Sequence, residues 1–511
     1  MKSEKKEILG RKENIGIIML ILILSGLFVF LFSVSTSPIV KDFYYWDSAI
    51  FQTVGKAWSQ GMLPYTECFD HKGPLLFLME ALGYSFGIGK TGVAIVQTVY
   101  LFAAFWFIYK IARLFMDCKF ALVTTVLSFI TLTLSYDGGN FSEEFSLLFI
   151  NSSIYLGIKY FKQIQSNKNE KSGFQHSPWY AFWYGMSFMA MTMLRMTNAL
   201  SVCCIILVVM CVLISKKEIK NLLLNMLYCI LGMVVCCLPF VIYYIVKGKL
   251  YDLLFGTIVY NILYLAGSSM DISMTILKAA LISFVFIAVS FVHIVVKGKH
   301  DMLGVFSLLY GVLSTGMFFF MNGYVHYQII VIVFVPMTVG LMVDIWNEKR
   351  FKQFGRVTVV VAVVLLGIEC LFGVKEITKT KENIASFEGY VEQYNSIVEQ
   401  FNSIIPENEK NQVLTFGSRD LNSWYLVNDV NPPYKYFILQ DWQTSHCALM
   451  KEEVTAFLES KSVKWIITDA DQNGNMIMEN NQNYKKIIEE NYDKVSNYSS
   501  FSMNFNLYCL K

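Results

Sequence analysis

The chain has 511 residues, of which 55% are hydrophobic, 15% aromatic and only 16% charged. Soluble domains carry about a quarter charged residues, so this composition, with a mean hydropathy of +0.46, excludes an ordinary water-soluble globule and calls for lipid. A net charge of +3 offers no basis for nucleic-acid binding, and eleven cysteines without a Cys-x-x-Cys pair or a His/Cys cluster offer none for a metal centre.

About 20 apolar residues carry a helix across the hydrocarbon core. That ruler predicts an α-helical polytopic membrane protein with about eleven spans: 15–36, 91–113, 120–135, 145–161, 179–194, 198–215, 221–246, 275–296, 302–321, 327–345 and 357–373. The first apolar run follows a basic stretch but lacks a small-residue cleavage site, and reads as an uncleaved span. Basic residues recur at every second connection: Lys110, Arg113 and Lys119; Lys159, Lys162, Lys168 and Lys171; Lys216, Lys217 and Lys220; Lys297 and Lys299; Lys349, Arg350, Lys352 and Arg356. The positive-inside rule then places the N-terminus in the cytoplasm and the C-terminal part outside a plasma membrane. Lys247 and Lys249 run against the pattern.

Two segments leave the membrane on the outer side. The first, 37–90, is a loop of the membrane domain 1–375. In it, Tyr44-Tyr45-Trp46-Asp47-Ser48-Ala49-Ile50-Phe51 suits a helix at the lipid surface, and Gly61-Met62-Leu63-Pro64-Tyr65 precedes Cys68-Phe69-Asp70-His71-Lys72-Gly73-Pro74. The second segment, 376–511, opens on an amphipathic stretch from Lys379 to Ile405. Short strand-like runs follow (Val413 to Phe416, Tyr434 to Leu439, Val463 to Thr468) around a helical stretch from Glu452 to Leu458, which predicts a small extracytoplasmic α/β domain.

An acid in the first exported loop, then Gly-x-x-Pro-Tyr, then an acid with Lys and Pro before an apolar helix, resembles the membrane glycosyltransferases of type C fold. The likeness is to the bacterial relatives of the protein-O-mannosyltransferases and lipid A aminoarabinose transferases, the glycosyltransferase family 39-like group. Gly138-Gly139-Asn140-Phe141-Ser142-Glu143-Glu144 resembles that group's Thr/Ser-Glu motif, and Tyr324-Val325-His326-Tyr327-Gln328 ahead of Val335-Pro336 resembles a late motif. Many members carry Asp-Glu where this chain has Asp47-Ser48, so metal binding at that pair is not carried over and no cofactor is expected.

The resemblance implies a sugar on polyprenyl phosphate, displaced with inversion by an extracytoplasmic acceptor that is a glycan, a lipid or a protein. Such a reaction needs a base for the acceptor hydroxyl and positive charge for the departing phosphate. Asp47 is the candidate base, or else a carboxylate flanking an interfacial helix; Asp42 is its nearest decoy. Lys72 and His71 are candidates for the donor phosphate, though an interfacial lysine also snorkels without a ligand. Asp70 either orients those two or caps the helix after Pro74. Glu143 and Glu144 either face substrate or complement a helix dipole, with Glu143 preferred. Arg195 and His326 map near outer span ends, where they contact substrate or serve as structural polar groups. A transporter or flippase, a polymerase of lipid-linked saccharides, and a non-catalytic subunit are the competing readings.

Overall fold

In the computed structural model the described residues are 2–511 except 43, 45, 167–173, 268–274, 299–300, 317–323, 350–351, 418, 440–442, 479 and 501–502. Tyr45, Lys168, Lys171, Lys299 and Arg350 of the sequence reading lie outside them. The helices in chain order are α1 (Lys2–Phe32), α2 (Trp46–Ser59), α3 (Pro74–Tyr84), α4 (Lys90–Arg113), α5 (Cys118–Leu132), α6 (Ser142–Ser166), α7 (Pro178–Thr192) and α8 (Leu200–Ser215). Next come α9 (Ile219–Val246), α10 (Leu250–Leu254), α11 (Tyr260–Gly267), α12 (Thr275–Lys297), α13 (Met302–Gly316), α14 (Phe334–Trp346) and α15 (Lys352–Thr378). The last are α16 (Thr380–Asn402), α17 (Trp424–Val427), α18 (Ala448–Glu459) and α19 (Gln482–Asn491).

Every one of the eleven expected spans coincides with a helix over most of its described length. By length and apolar composition, five described helices can cross a membrane: Asn14–Phe32, Lys90–Arg113, Met196–Ser215, Ile219–Val246 and Lys352–Thr378. A sixth is the bent pair Val325–Val331 and Phe334–Trp346. The count of eleven is therefore not reached on that test. Several helices, such as Cys118–Leu132 and Met302–Gly316, are apolar but short, while α6 carries Glu143 and Glu144 at one end and Lys159 and Lys162 further along.

The chain forms two compact units, each discontinuous in sequence. The first comprises Met1–Ser33, Ile95–Val241 and Ser269–Thr380 and holds most of the long apolar helices. Close packing within it depends on small residues: a Cβ on Gly185 of α7 would lie 1.9 Å from the Cys229 carbonyl oxygen of α9.

The second unit comprises Val34–Ala94, Ile242–Ser268 and Lys381–Lys511. Its sheet has five strands, β1 (Val413–Phe416), β2 (Ile438–Leu439), β3 (Trp465–Asp469), β4 (Tyr492–Ser499) and β5 (Asn504–Leu510), in the order β2-β1-β3-β5-β4. The first three strands are parallel, which requires crossovers; α17 and α18 lie in them. β5 then pairs antiparallel with both β3 and β4. One core runs under the sheet through Leu414, Tyr436, Ile466, Tyr484 and Tyr508, and it also takes in Phe69 from the first loop and Phe255 and Tyr260 from the middle segment.

Candidate active site

In the second unit, α2 and α3 pack against each other at glycine distance. A Cβ on Gly55 of α2 would stand 2.1 Å from the Glu80 Cβ of α3, so no larger residue fits without moving a helix. α2 begins at Trp46 and places Asp47 in its first turn, where the helix dipole favours a carboxylate. The start of α2 is tied down by chain far away in sequence: Asn422 Nδ2 donates to the Trp46 carbonyl (3.2 Å) and Ser423 Oγ to that of Tyr44 (3.0 Å). Lys56, buried on α2, pairs with Asp429 at 2.5 Å. The Asp47 side chain is half-buried, and no described residue is hydrogen-bonded to its carboxylate.

Gly61 and Tyr65 both hold positive φ (97° and 66°), turning the chain back toward α3. Tyr65 is buried, stacks over Gly256, where a Cβ would come within 2.3 Å of its ring, and donates its hydroxyl to the Lys72 carbonyl at 2.7 Å. Phe69 plugs the core beside Tyr260 and Tyr436, and its N–H donates to the Lys435 carbonyl at 2.8 Å. Asn261 Nδ2 holds the His71 carbonyl at 2.8 Å. Pro74 then starts α3 behind an extended Gly73, and the helix has no side-chain cap, so Asp70 does not cap it.

Asp70, His71 and Lys72 form a chain of contacts. Asp70 Oδ1 lies 3.3 Å from His71 Nδ1, and Oδ2 accepts the Lys72 N–H at 3.3 Å. Lys72 Nζ is 3.2 Å from His71 Nε2. An ammonium only donates, so Nε2 is the acceptor and Nδ1 carries the hydrogen that faces Asp70. Burial would raise the Asp70 pKa, but the opposing His71 and Lys72 charges and hydrogen bonds bring it down to about 2. For His71, burial and the Lys72 charge push the pKa below the ordinary value, against the pull of Asp70 and of Asp47. Asp47 is therefore close enough to act electrostatically on the imidazole. His71, with both nitrogens engaged, orients Lys72, and no other described residue accepts a hydrogen bond from the Lys72 ammonium.

Glu143, Glu144, Arg195 and His326 belong to the first unit. The two glutamates at the start of α6 part company. Glu143 pairs with Arg195, whose guanidinium lies 3.9 Å over the Tyr327 ring. Glu144 accepts from Tyr136 Oη (2.7 Å), Gln97 Nε2 (3.0 Å) and the Asn140 N–H (3.0 Å), all within the protein interior. It thereby holds a turn in which Asp137, Gly138, Gly139 and Asn140 all take positive φ. His326 stacks on Phe141 at 4.0 Å, with Asp137 Oδ2 3.6 Å from its Nδ1. Glu143 thus faces a cation, while Glu144 is engaged by neutral donors. Among the described residues no three His, Cys, Asp or Glu side chains are grouped to hold a metal ion.

Sequence reasoning did not find Tyr260, Asn261, Asn422, Ser423 or Lys435, which hold the loop from far along the chain. Their residue types are unremarkable, and only the partner shows their use.

This architecture is the type C fold of membrane glycosyltransferases. The structure of ArnT from Cupriavidus metallidurans in the apo state aligns over 98% of this chain and 98% of its own, with a TM-score of 0.58 at 9% identity. The same protein bound to undecaprenyl phosphate aligns over 97% and 98%, with a TM-score of 0.54 at 10% identity. The apo oligosaccharyltransferase of Archaeoglobus fulgidus aligns over 97% of this chain and 74% of its own, with a TM-score of 0.46 at 11% identity. In sequence, residues 4–381 match the competence-induced protein Ccs4 N-terminal domain, and the chain belongs to that family. A comparison with curated proteins gives no match.

Proposed function

We propose that this protein is an integral membrane glycosyltransferase that moves a sugar from a polyprenyl-phosphate donor to an extracytoplasmic acceptor, with inversion. The observation that carries the reading is the presence, on one loop, of a carboxylate with no hydrogen-bond partner among the described residues and an oriented ammonium. Asp47 stands at the start of α2, and Lys72 is held by His71 and, through its backbone, by Tyr65 and Asp70. In this reading Asp47 takes the proton of the acceptor hydroxyl as that oxygen attacks the anomeric carbon. The bond from that carbon to the donor phosphate breaks, and Lys72 compensates the charge left on the phosphate. Asp70 and His71 position Lys72. Glu143, Arg195 and His326 are kept as separate candidates for contact with substrate within the first unit. The loop 37–90 and the sheet-bearing segment 376–511 are read as facing outward, with the donor's tail along the apolar stretch 75–87. A polyprenyl-phosphate donor is favoured by the fold shared with ArnT, whose structure binds undecaprenyl phosphate.

The test is transfer of sugar from a panel of polyprenyl-phosphate donors by membranes carrying wild type or Asp47→Asn at matched protein level. The expected result is a loss of about 10²-fold or more, the usual worth of a general base. Equal rates would move the base to another acid. No transfer by wild type across the panel would favour a transporter of lipid-linked saccharides.

A further inference from the structure

Within the first unit a half-open cavity of about 180 Å³ lies among α7, α8 and α9, lined by Tyr184, Val209, Leu213, Asn225, Met226 and neighbouring apolar side chains. It is comparable to the engineered apolar cavity of about 150 Å³ that admits benzene. Met226 and Ile230 line it and are also exposed on the outer face of α9, so the cavity opens sideways where this long apolar helix would meet lipid.

His176, fully buried, lies at the end of the cavity where α7 begins. Asn225 Nδ2 donates to the carbonyls of His176 (3.2 Å) and Asn221 (2.8 Å), which fixes its amide with Oδ1 toward His176 Nδ1 at 2.6 Å. An amide oxygen only accepts, so Nδ1 carries the hydrogen and Nε2 is left as an acceptor. Among the described residues Nε2 has no partner, and neither has the buried Tyr184 hydroxyl. Burial pushes the His176 pKa down to about 4, in keeping with a neutral ring. A buried acceptor without a donor is costly and calls for a ligand with a hydroxyl or N–H. At the same end, α8 stops at Ser215 and α9 starts at Ile219; Lys216, Lys217 and Lys220 there are exposed, and none of them makes an ion pair among the described residues. Lys216 reaches over the Phe174 ring at 4.2 Å, two residues from His176.

We propose that this cavity seats one chain of an anionic phospholipid with a hydroxylated headgroup. The chain enters between α8 and α9, the phosphate meets Lys216, Lys217 and Lys220, and a headgroup hydroxyl donates to His176 Nε2. The site lies wholly within one unit and involves none of the residues assigned to sugar transfer. Its test reads lipid retention, not activity, and so can fail independently of the glycosyltransferase reading.

The full-length protein in detergent is titrated with phosphatidylglycerol or phosphatidylcholine of identical chains, and bound lipid is counted by native mass spectrometry. Wild type is expected to hold phosphatidylglycerol about tenfold or more tighter, as several basic side chains at a lipid surface would give. Lys216→Gln/Lys217→Gln/Lys220→Gln removes only exposed side chains and should abolish that preference. His176→Phe should weaken phosphatidylglycerol alone, and Val209→Trp, which fills the cavity, should weaken both lipids. Free glycerol phosphate should not compete, since it has no chain to bury. Equal binding of the two lipids by wild type, or an undiminished preference in the triple variant, would overturn the proposal even if Val209→Trp does not fold.

Discussion

Replacing Asp70 with asparagine tests the electrostatics of the candidate site directly. The carboxylate is buried, and its pKa falls from an ordinary 3.8 to about 2 because His71 and Lys72 outweigh the burial that would raise it. Each pKa unit corresponds to about 1.4 kcal/mol, so the folded protein gains about 2 kcal/mol at pH 7 from the ionised form. Because the folded pKa is the lower one, this stability is fully present above the unfolded value of 3.8 and is lost as pH falls through about 2. Roughly half of it is left at pH 3. Asp70→Asn should therefore lower the unfolding free energy by about 2 kcal/mol at pH 7 and by about 1 kcal/mol at pH 3. Denaturant titration of the detergent-solubilised protein at both pH values, followed by tryptophan fluorescence, measures the difference. A penalty of the same size at both values would show that lost packing, and not the carboxylate charge, stabilises the loop, and the reasoning would be refuted.

Lys72→Gln keeps most of the side chain's length but removes its charge, and should reduce transfer from a polyprenyl-phosphate donor by about 10²-fold, the scale of a lost charge stabiliser. A matching loss with a donor whose phosphate is uncharged would argue against a phosphate contact. Glu144→Ala strands three buried donors, the Tyr136 hydroxyl, the Gln97 amide and the Asn140 N–H, at about 1–3 kcal/mol each before relaxation. Folded protein recovered from membranes should fall sharply, with Glu144→Gln falling less; equal recovery of wild type and Glu144→Ala would contradict the structural role.

Apolar run length made the helices legible, because a stretch of about 20 such residues has few other homes. Boundaries were harder. The interfacial helix read to Phe51 continues to Ser59, since Gln52, Thr53 and Lys56 look solvent-facing in sequence but are buried against α3 and the C-terminal segment. Strands β1 and β3 announced themselves as short, mostly apolar runs, and they are buried almost throughout. β4 did not: in Tyr492–Ser499 only Tyr492 is buried, the pattern of an edge strand with charged and amide residues facing water. In the candidate site, Asp47, Asp70, His71 and Lys72 were legible because they crowd one loop beside Gly and Pro. Asn261 and Lys435 were not, because a single amide or a backbone carbonyl has no signature until the fold brings it to His71 or Phe69.

The second unit draws on three separated stretches of chain, and this sets an order on biosynthesis. Phe69 leaves the ribosome long before Tyr436 and Cys447, the core side chains it joins, and before β5, which closes the sheet above them. Contacts of such sequence separation form late and slowly. Until then the Asp70–Lys72 loop has Tyr65 and the middle segment around Phe255, Tyr260 and Asn261 to shape it, but not the Lys435 carbonyl that accepts from Phe69. A nascent or prematurely ended chain would thus enter the bilayer with its charged residues present but unassembled. Such chains would carry the residues of the candidate site without its geometry, so completion of synthesis itself would act as the licence for the site.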